Sequence, residues 1–159
     1  MRKILVAIDG SECAFNAVHY VGRQFSGIHD LDITLLHVLP YPPAPLWDDG
    51  HIPSNEEKES RGKVITTWLS NQESKVEPLF KKALEILKEE GIEQHQIKTK
   101  SISDSIDVAG SILEEARDGG YATLIVGRCG LSPAKKFLVG SITTKIVNHG
   151  AGIAICIVE

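Results

Sequence analysis

One stretch late in the chain restricts the possible fold more than any other. Ala122-Thr123-Leu124-Ile125-Val126 is a largely apolar run that reads as a buried strand. Gly127-Arg128-Cys129-Gly130 follows, then nine residues, then Gly140-Ser141. Ile142-Thr143-Thr144-Lys145-Ile146-Val147 reads as the start of a helix, with Ser141 standing where an N-cap belongs. A strand, a glycine-bearing loop and a helix N-terminus, in that order, make a site for phosphate. The glycines are expected to turn the backbone through positive φ and bring it close to a ligand. Free N–H groups at the helix start then point at the anion. The pattern is not a Walker A loop, because no Gly-Lys-Ser/Thr follows the glycines. Nor does it contain the G-x-G-x-x-G of a dinucleotide fold.

The rest of the chain supplies a frame for this loop. Lys3 to Ile8 is apolar and β-branched, as a central parallel strand would be. Asp9-Gly10-Ser11-Glu12 ends it, and Ser11 caps a helix whose stripe is Ala14, Ala17, Val18 and Val21. Asp9 therefore belongs at the carboxyl edge of the first strand, where open α/β sheets bind ligands. Ile33 to Leu39 is the second strand, and His37 within it reads as a packed residue with a satisfied hydrogen bond. Five of the seven prolines fall between Pro40 and Pro53. That segment, 40–54, is a loop leaving the same edge, with Tyr41 and Trp47 able to stack on a base or a partner.

From Asn55 to Glu90 the pattern is helical and charged, with a break expected near Glu77 ahead of Pro78. Val64, Ile65, Trp68 and Leu69 form one stripe, expected to pack on the sheet or on a partner. Leu79, Phe80, Ala83, Leu84 and Leu87 form a second, and Gly91 stops the helix. Gln96 to Ile102 has the weak alternation of an edge strand. Ser103-Asp104-Ser105 then offers caps for a helix carrying Ile106, Val108, Ala109, Ile112, Leu113 and Ala116. Ser132-Pro133 starts a turn, and Lys135-Lys136 either stand solvated, as exposed lysines usually do, or approach phosphate oxygens. Ile153 to Val158 is the fifth strand. The order βαβαβαβαβ implies right-handed crossovers and a parallel sheet between layers of helices.

Length, at 159 residues, fits a single domain over 1–159, and a 42% hydrophobic fraction supports one core. A net charge of −4 without a basic block argues against nucleic acid. No run approaches the roughly 20 apolar residues of a membrane span. The start, Met1-Arg2-Lys3, has no long apolar core of a signal peptide, which leaves a cytoplasmic setting. Cys13, Cys129 and Cys156 form no CxxC pair or metal spacing and read as free thiols in a reducing compartment. Cys129, beside phosphate-binding amides, is expected to be a redox-sensitive thiol of lowered pKa.

The full spacing G-x-x-G-(nine)-G-S between strand and helix resembles the nucleotide signature of the universal stress protein family, in its ATP-binding subgroup. The His37-Val38 pair closing the second strand is also similar. The resemblance implies a five-stranded parallel sheet of order 3-2-1-4-5, helices on both faces, in a Rossmann-like, adenine nucleotide α-hydrolase-like fold. It further implies that backbone at Ala7, Ile8, Asp9 and Val38 holds adenosine. Gly127, Arg128, Gly130, Gly140, Ser141, Ile142 and Thr143 would hold the phosphates of ATP, ADP or AMP. Asp9 would meet an Mg²⁺ ion carried on the nucleotide. It implies a homodimer through strand 153–158, which would cover an exposed apolar edge, and a downstream signalling partner.

No placed base, arginine finger or carboxylate cluster accompanies the loop, so no catalytic residue is assigned and binding with slow or no turnover is expected. Autophosphorylation on Ser141 or Thr143 is the family's other chemistry. Two alternatives compete. Enzymes of the wider α-hydrolase-like group carry Ser-Gly-Gly-x-Asp-Ser or His-x-Gly-His after the first strand, and Asp9-Gly10-Ser11-Glu12 matches neither. A nucleotide-free dimeric module would leave the glycine spacing unexplained. One departure from the family pattern is Ala122-Thr123, where an aspartate commonly precedes the fourth strand.

Overall fold

The computed structural model describes residues 2–46, 48, 50–130 and 139–159. Five parallel strands form one sheet: β1 (Arg2–Ala7), β2 (Leu31–Pro40), β3 (Ile97–Ser105), β4 (Thr123–Gly127) and β5 (Ala154–Val158). Their order is β3-β2-β1-β4-β5, as the family resemblance implied. The order reverses between β1 and β4, so connections on either side of that seam diverge and open a crevice.

Side-chain alternation along β1 feeds two cores. Ile4, Val6 and Ile8 face helices α1 (Glu12–Phe25) and α3 (Val76–Glu89), where Ala14, Ala17, Val18, Val21, Ala83 and Leu87 complete the layer. Leu5 faces the other side, against Leu36, Leu124, α4 (Val108–Asp118) and α5 (Ser141–His149). β1 pairs on both edges, with Leu5 opposite Thr34 on β2 and opposite Leu124 on β4. The strand that carries Asp9 at its end is therefore clamped from four directions.

The long helical segment is two helices. α2 (Asn55–Glu73) ends at Ser74, and Pro78 falls in the first turn of α3, where its missing N–H has no helical partner to lose. The break precedes Glu77 by about one turn for that reason. Gly91, at φ +92°, lets the chain leave α3 in a left-handed step, with Ile92 N–H donating to Leu87 O and Gly91 N–H to Lys88 O. The α2 stripe, expected to pack on the sheet or on a partner, does not pack on the sheet. No residue of α2 is buried, and Val64 is 46% exposed, so the stripe does not enter either core.

A second departure lies at the β3–α4 junction. β3 continues to Ser105, whose carbonyl accepts the Tyr41 N–H, instead of ending at Ile102. The register steps from Val38 opposite Ile102 to Pro40 opposite Ser105, a bulge that places Asp104 at φ +57°. The cap of α4 is Asp107, which accepts the Gly110 N–H, and Ile106 stands outside the helix at 93% exposure.

Gly22 marks where α1 and α3 meet: a Cβ there would fall 2.5 Å from Glu90 Cβ. Glu90 accepts hydrogen bonds from His19 Nδ1 at 3.0 Å and Arg23 Nε at 3.2 Å. The His19 bond, then Arg23, holds its carboxyl below the ordinary glutamate range. A depressed folded value adds stability above the unfolded value and loses it as pH falls through the folded one. Glu90→Gln is therefore expected to flatten the acid side of a melting-temperature profile between about pH 5 and 3. An unchanged slope would show that the cluster contributes nothing to folding.

Candidate functional site

At the carboxyl edge of the sheet, across the β1–β4 seam, lies a cavity of about 640 Å³. Three separated pieces of chain meet there. The β1 end supplies Ala7, Ile8 and Asp9; the β2 end supplies Leu36, His37 and Val38; and the glycine loop with the start of α5 supplies Gly127, Cys129, Gly130, Gly140, Ser141, Ile142 and Thr143. Of the residues expected to hold the nucleotide, Arg128 is not in this lining, and neither is Tyr41 of the proline-rich loop.

The loop is built by close approach. None of Gly127, Gly130 or Gly140 is at positive φ, contrary to the expectation from the sequence. Space is what glycine provides here. A Cβ on Gly127 would lie 2.7 Å from the Cys13 carbonyl carbon and 2.8 Å from Ala14 N, so β4 runs directly against the first turn of α1. A Cβ on Gly130 would lie 3.0 Å from Asp9 Oδ2, bringing the loop onto the acidic turn. Gly140 N–H donates to Arg128 O at 2.9 Å, so the end of β4 and the start of α5 together form a cradle.

Asp9 accepts the Ser11 N–H through Oδ1 at 2.9 Å, and Ser11 Oγ caps α1 by accepting the Ala14 N–H. The aspartate thus shapes the turn as well as lining the cavity. His37 Nδ1–H donates to Ile8 O at 2.7 Å, because a carbonyl oxygen can only accept. This is the satisfied, packed histidine read from the sequence.

α5 begins differently from the reading. Gly140 occupies the N-cap, Ser141 is the first helical residue, and no side chain caps the helix. The first amides of α5 are accordingly not taken by a capping side chain. Thr143 is buried and donates from Oγ1 to Gly127 O at 2.9 Å, tying α5 to the strand end. Thr143→Val should leave that carbonyl without its donor and cost about 1–2 kcal/mol in urea unfolding, with Thr143→Ser near wild type. Equal stability of the valine variant would remove the tie from the account.

Arg128 corrects a second expectation. Its guanidinium sits 3.0 Å from Glu159 Oε1, directed to the chain end and away from the cavity. Its backbone still serves the loop, with N–H to Val158 O at 2.7 Å. The cysteine reading is corrected too. Cys13 and Cys129 are joined in a disulfide with Cα atoms 5.8 Å apart, so Cys129 carries no free thiol, and Cys156 remains unpaired. The odd count and the separation of 116 residues hid this pair. Ser132, Pro133, Lys135, Lys136 and Trp47 lie outside the described residues.

Sequence reasoning missed Gln72, Lys75 and Leu79, which line the cavity from the α2–α3 junction. Lys75 brings a cation to the rim. Its position depends on where two helices break, which periodicity locates only to within a turn. Among the described residues, no group of three or more His, Cys, Asp or Glu could hold a metal ion, and no helix is long and apolar enough to cross a membrane.

Comparison with known proteins gives the family and the fold. The chain is 28% identical over 152 residues to the universal stress protein YxiE of Bacillus subtilis, covering 91% of this chain and 90% of that one. The universal stress protein UspA from Lactobacillus plantarum shares the fold with a TM-score of 0.71 at 18% identity, covering 99% of this chain and 97% of that one. A family member from Arabidopsis thaliana, solved with AMP bound, superposes with a TM-score of 0.60 at 17% identity, covering 99% and 91%. The universal stress protein family model itself matches residues 1–151, so the chain belongs to the universal stress protein family.

Proposed function

We propose that this protein binds an adenine nucleotide, ATP with its Mg²⁺, and acts as a regulatory stress-response module with slow or no hydrolysis. The observation that carries the reading is the convergence of Asp9, Val38, the glycine loop and the α5 N-terminus on one cavity of about 640 Å³, a size suited to a small-molecule ligand. Main-chain groups at Ala7, Ile8, Asp9 and Val38 hold the adenosine. Backbone amides at Gly127 and Gly130, with those of Ser141, Ile142 and Thr143 at the uncapped helix start, hold the phosphates, while the Arg128 and Gly140 amides, engaged by Val158 O and Arg128 O, shape the loop. Lys75 at the rim adds charge to the polyphosphate tail. The AMP-bound Arabidopsis neighbour supports the choice of adenine.

A lone carboxylate at the cavity fits an ion brought in on phosphate oxygens better than a resident one. Mg²⁺ takes one or two carboxylates and keeps several waters. Asp9, with Oδ1 engaged by Ser11 N–H, would meet such an ion through Oδ2 or through water. The ion neutralises phosphate charge when bound. Asp9 fixes the turn, and the amides orient the tail.

Titration of nucleotide-free protein with ATP and Mg²⁺ tests the reading. Binding heat and a raised melting temperature are expected, with phosphate release near background. The absence of both heat and a melting shift at millimolar nucleotide would sink it. The working unit is a cytoplasmic homodimer joined along β5, an edge strand whose Ile157 is 42% exposed. Sedimentation velocity at micromolar concentration should return a dimer, and a monomer would remove that part.

A further inference from the structure

The Cys13–Cys129 disulfide has no part in the binding reading, yet it joins two walls of the proposed site. We propose that it is a redox switch on nucleotide affinity: closed, it fixes the glycine loop against α1 for tight binding; open, it releases the loop and weakens binding. The inference rests on the nucleotide reading of the cavity.

Placement is the first argument. Cys13 is the second residue of α1, and Cys129 lies between Gly127 and Gly130. The bond therefore crosses the joint where the loop approaches Asp9. Cys129 also lines the cavity, so the bond ends in a residue of the proposed site's own wall.

The second argument is what else holds the loop. Towards β5 and α5 the ties are ordinary hydrogen bonds: Arg128 N–H to Val158 O, Gly140 N–H to Arg128 O and Thr143 Oγ1 to Gly127 O, between 2.7 and 2.9 Å. Towards α1, Ser11 Oγ donates a longer hydrogen bond to Cys129 O, at 3.3 Å. The covalent bond thus dominates on the side facing Asp9. Removing it returns backbone freedom to residues whose amides must converge on phosphate, and ordering them again opposes binding.

Access is the third. Cys13 is 9% exposed, whereas Cys129 is half-buried beside the cavity. A dithiol reductant reaches Cys129 first. Its thiolate attacks Cys129 Sγ, a mixed disulfide forms, and Cys13 leaves as a thiolate in the first turn of α1 and takes up a proton. The reductant's second thiolate then displaces Cys129 sulfur, which is protonated in turn. The protein disulfide gains two electrons and two protons, and the dithiol closes to its own disulfide. In a reducing compartment a protein disulfide is transient and regulatory more often than structural.

The test uses the full chain carrying Cys156→Ser, with thiols counted directly. Oxidised protein should show none, and protein treated with a dithiol should show two. Calorimetry with ATP and Mg²⁺ should give a dissociation constant about tenfold weaker after reduction, within the usual span of coupling between sites. By reciprocity, saturating ATP should make the disulfide about tenfold harder to reduce in a dithiol titration. Cys129→Ser in the same background should bind like reduced protein and ignore reductant. Equal affinities in the two redox states would overturn the switch and leave the nucleotide reading standing. Absence of binding in both states would overturn the nucleotide reading and the switch with it. Two thiols persisting after oxidation would overturn the switch alone.

Discussion

Gly127→Ala is expected to destabilise the protein by about 2–3 kcal/mol, the cost of forcing a methyl group into packed surroundings. The new Cβ would lie 2.7 Å from the Cys13 carbonyl carbon, 2.8 Å from Ala14 N and 2.9 Å from Cys13 Cβ. The two nearest are main-chain atoms in the first turn of α1, held by the Ser11 cap, so no flexible side chain can swing aside. Relief requires β4 and α1 to separate, which strains the pairing of Val126 with Ala7 and carries the Gly127 carbonyl away from Thr143. Nucleotide affinity should fall as well, because the same shift opens the cradle beside Asp9. Gly62→Ala is the control. A Cβ there meets nothing within 4 Å, and the residue lies inside α2, so a gain of up to about 1 kcal/mol is expected. Urea unfolding of the pair measures both. A Gly127→Ala midpoint at or above wild type would mean that the strand end and the helix do not approach as described.

That contrast also explains what the sequence could and could not disclose. Apolar runs at Ile4–Ile8 and Leu124–Val126 are read directly as buried strands, because a parallel central strand must be apolar on both faces. The site's outline follows from chain order, since strand ends in a doubly wound sheet share one edge. Local geometry did not follow. Gly127 looks like a turn glycine in sequence but serves as a gap against α1, a contact between residues more than a hundred positions apart. Gly140 and Ser141 exchanged cap roles because a helix end is decided by where the loop's own hydrogen bond, Gly140 to Arg128, lets the turn begin. The disulfide is of the same kind, depending on two cysteines whose juxtaposition only the fold creates. Ile106 fitted the helical period, but the Asp104 bulge left it one residue ahead of the Asp107 cap and in solvent. Lys75 reached the cavity through a helix break that no spacing of apolar residues fixes.

Leu5→Ala should have the largest effect of all, about 3–4 kcal/mol, towards the upper part of the range for core leucines. The side chain is 0% exposed and belongs to the core with Leu36, Ala109, Ile112, Leu113 and Leu124. The size of such a loss depends on whether neighbours can close over the cavity. Here they are poorly able to. β1 is the central strand, hydrogen-bonded to β2 and β4 at this position, so neither neighbour can move inward without breaking a ladder. α4 and α5 cover the same face, and their contacts with each other resist collapse of one alone. Ala7 ends the strand that holds Leu5, and Ile8 and Asp9 follow it, but their positions are set by the ladder, the Ile8 N–H bond to Leu36 O and the Ser11 turn, which this substitution leaves in place. Urea unfolding should therefore show the full loss, while calorimetry on the folded fraction returns nearly unchanged ATP affinity. A small stability change would show that the second core is loosely packed. A large affinity change with intact folding would mean that the cavity is held by side-chain packing beneath it, not by the backbone frame of β1.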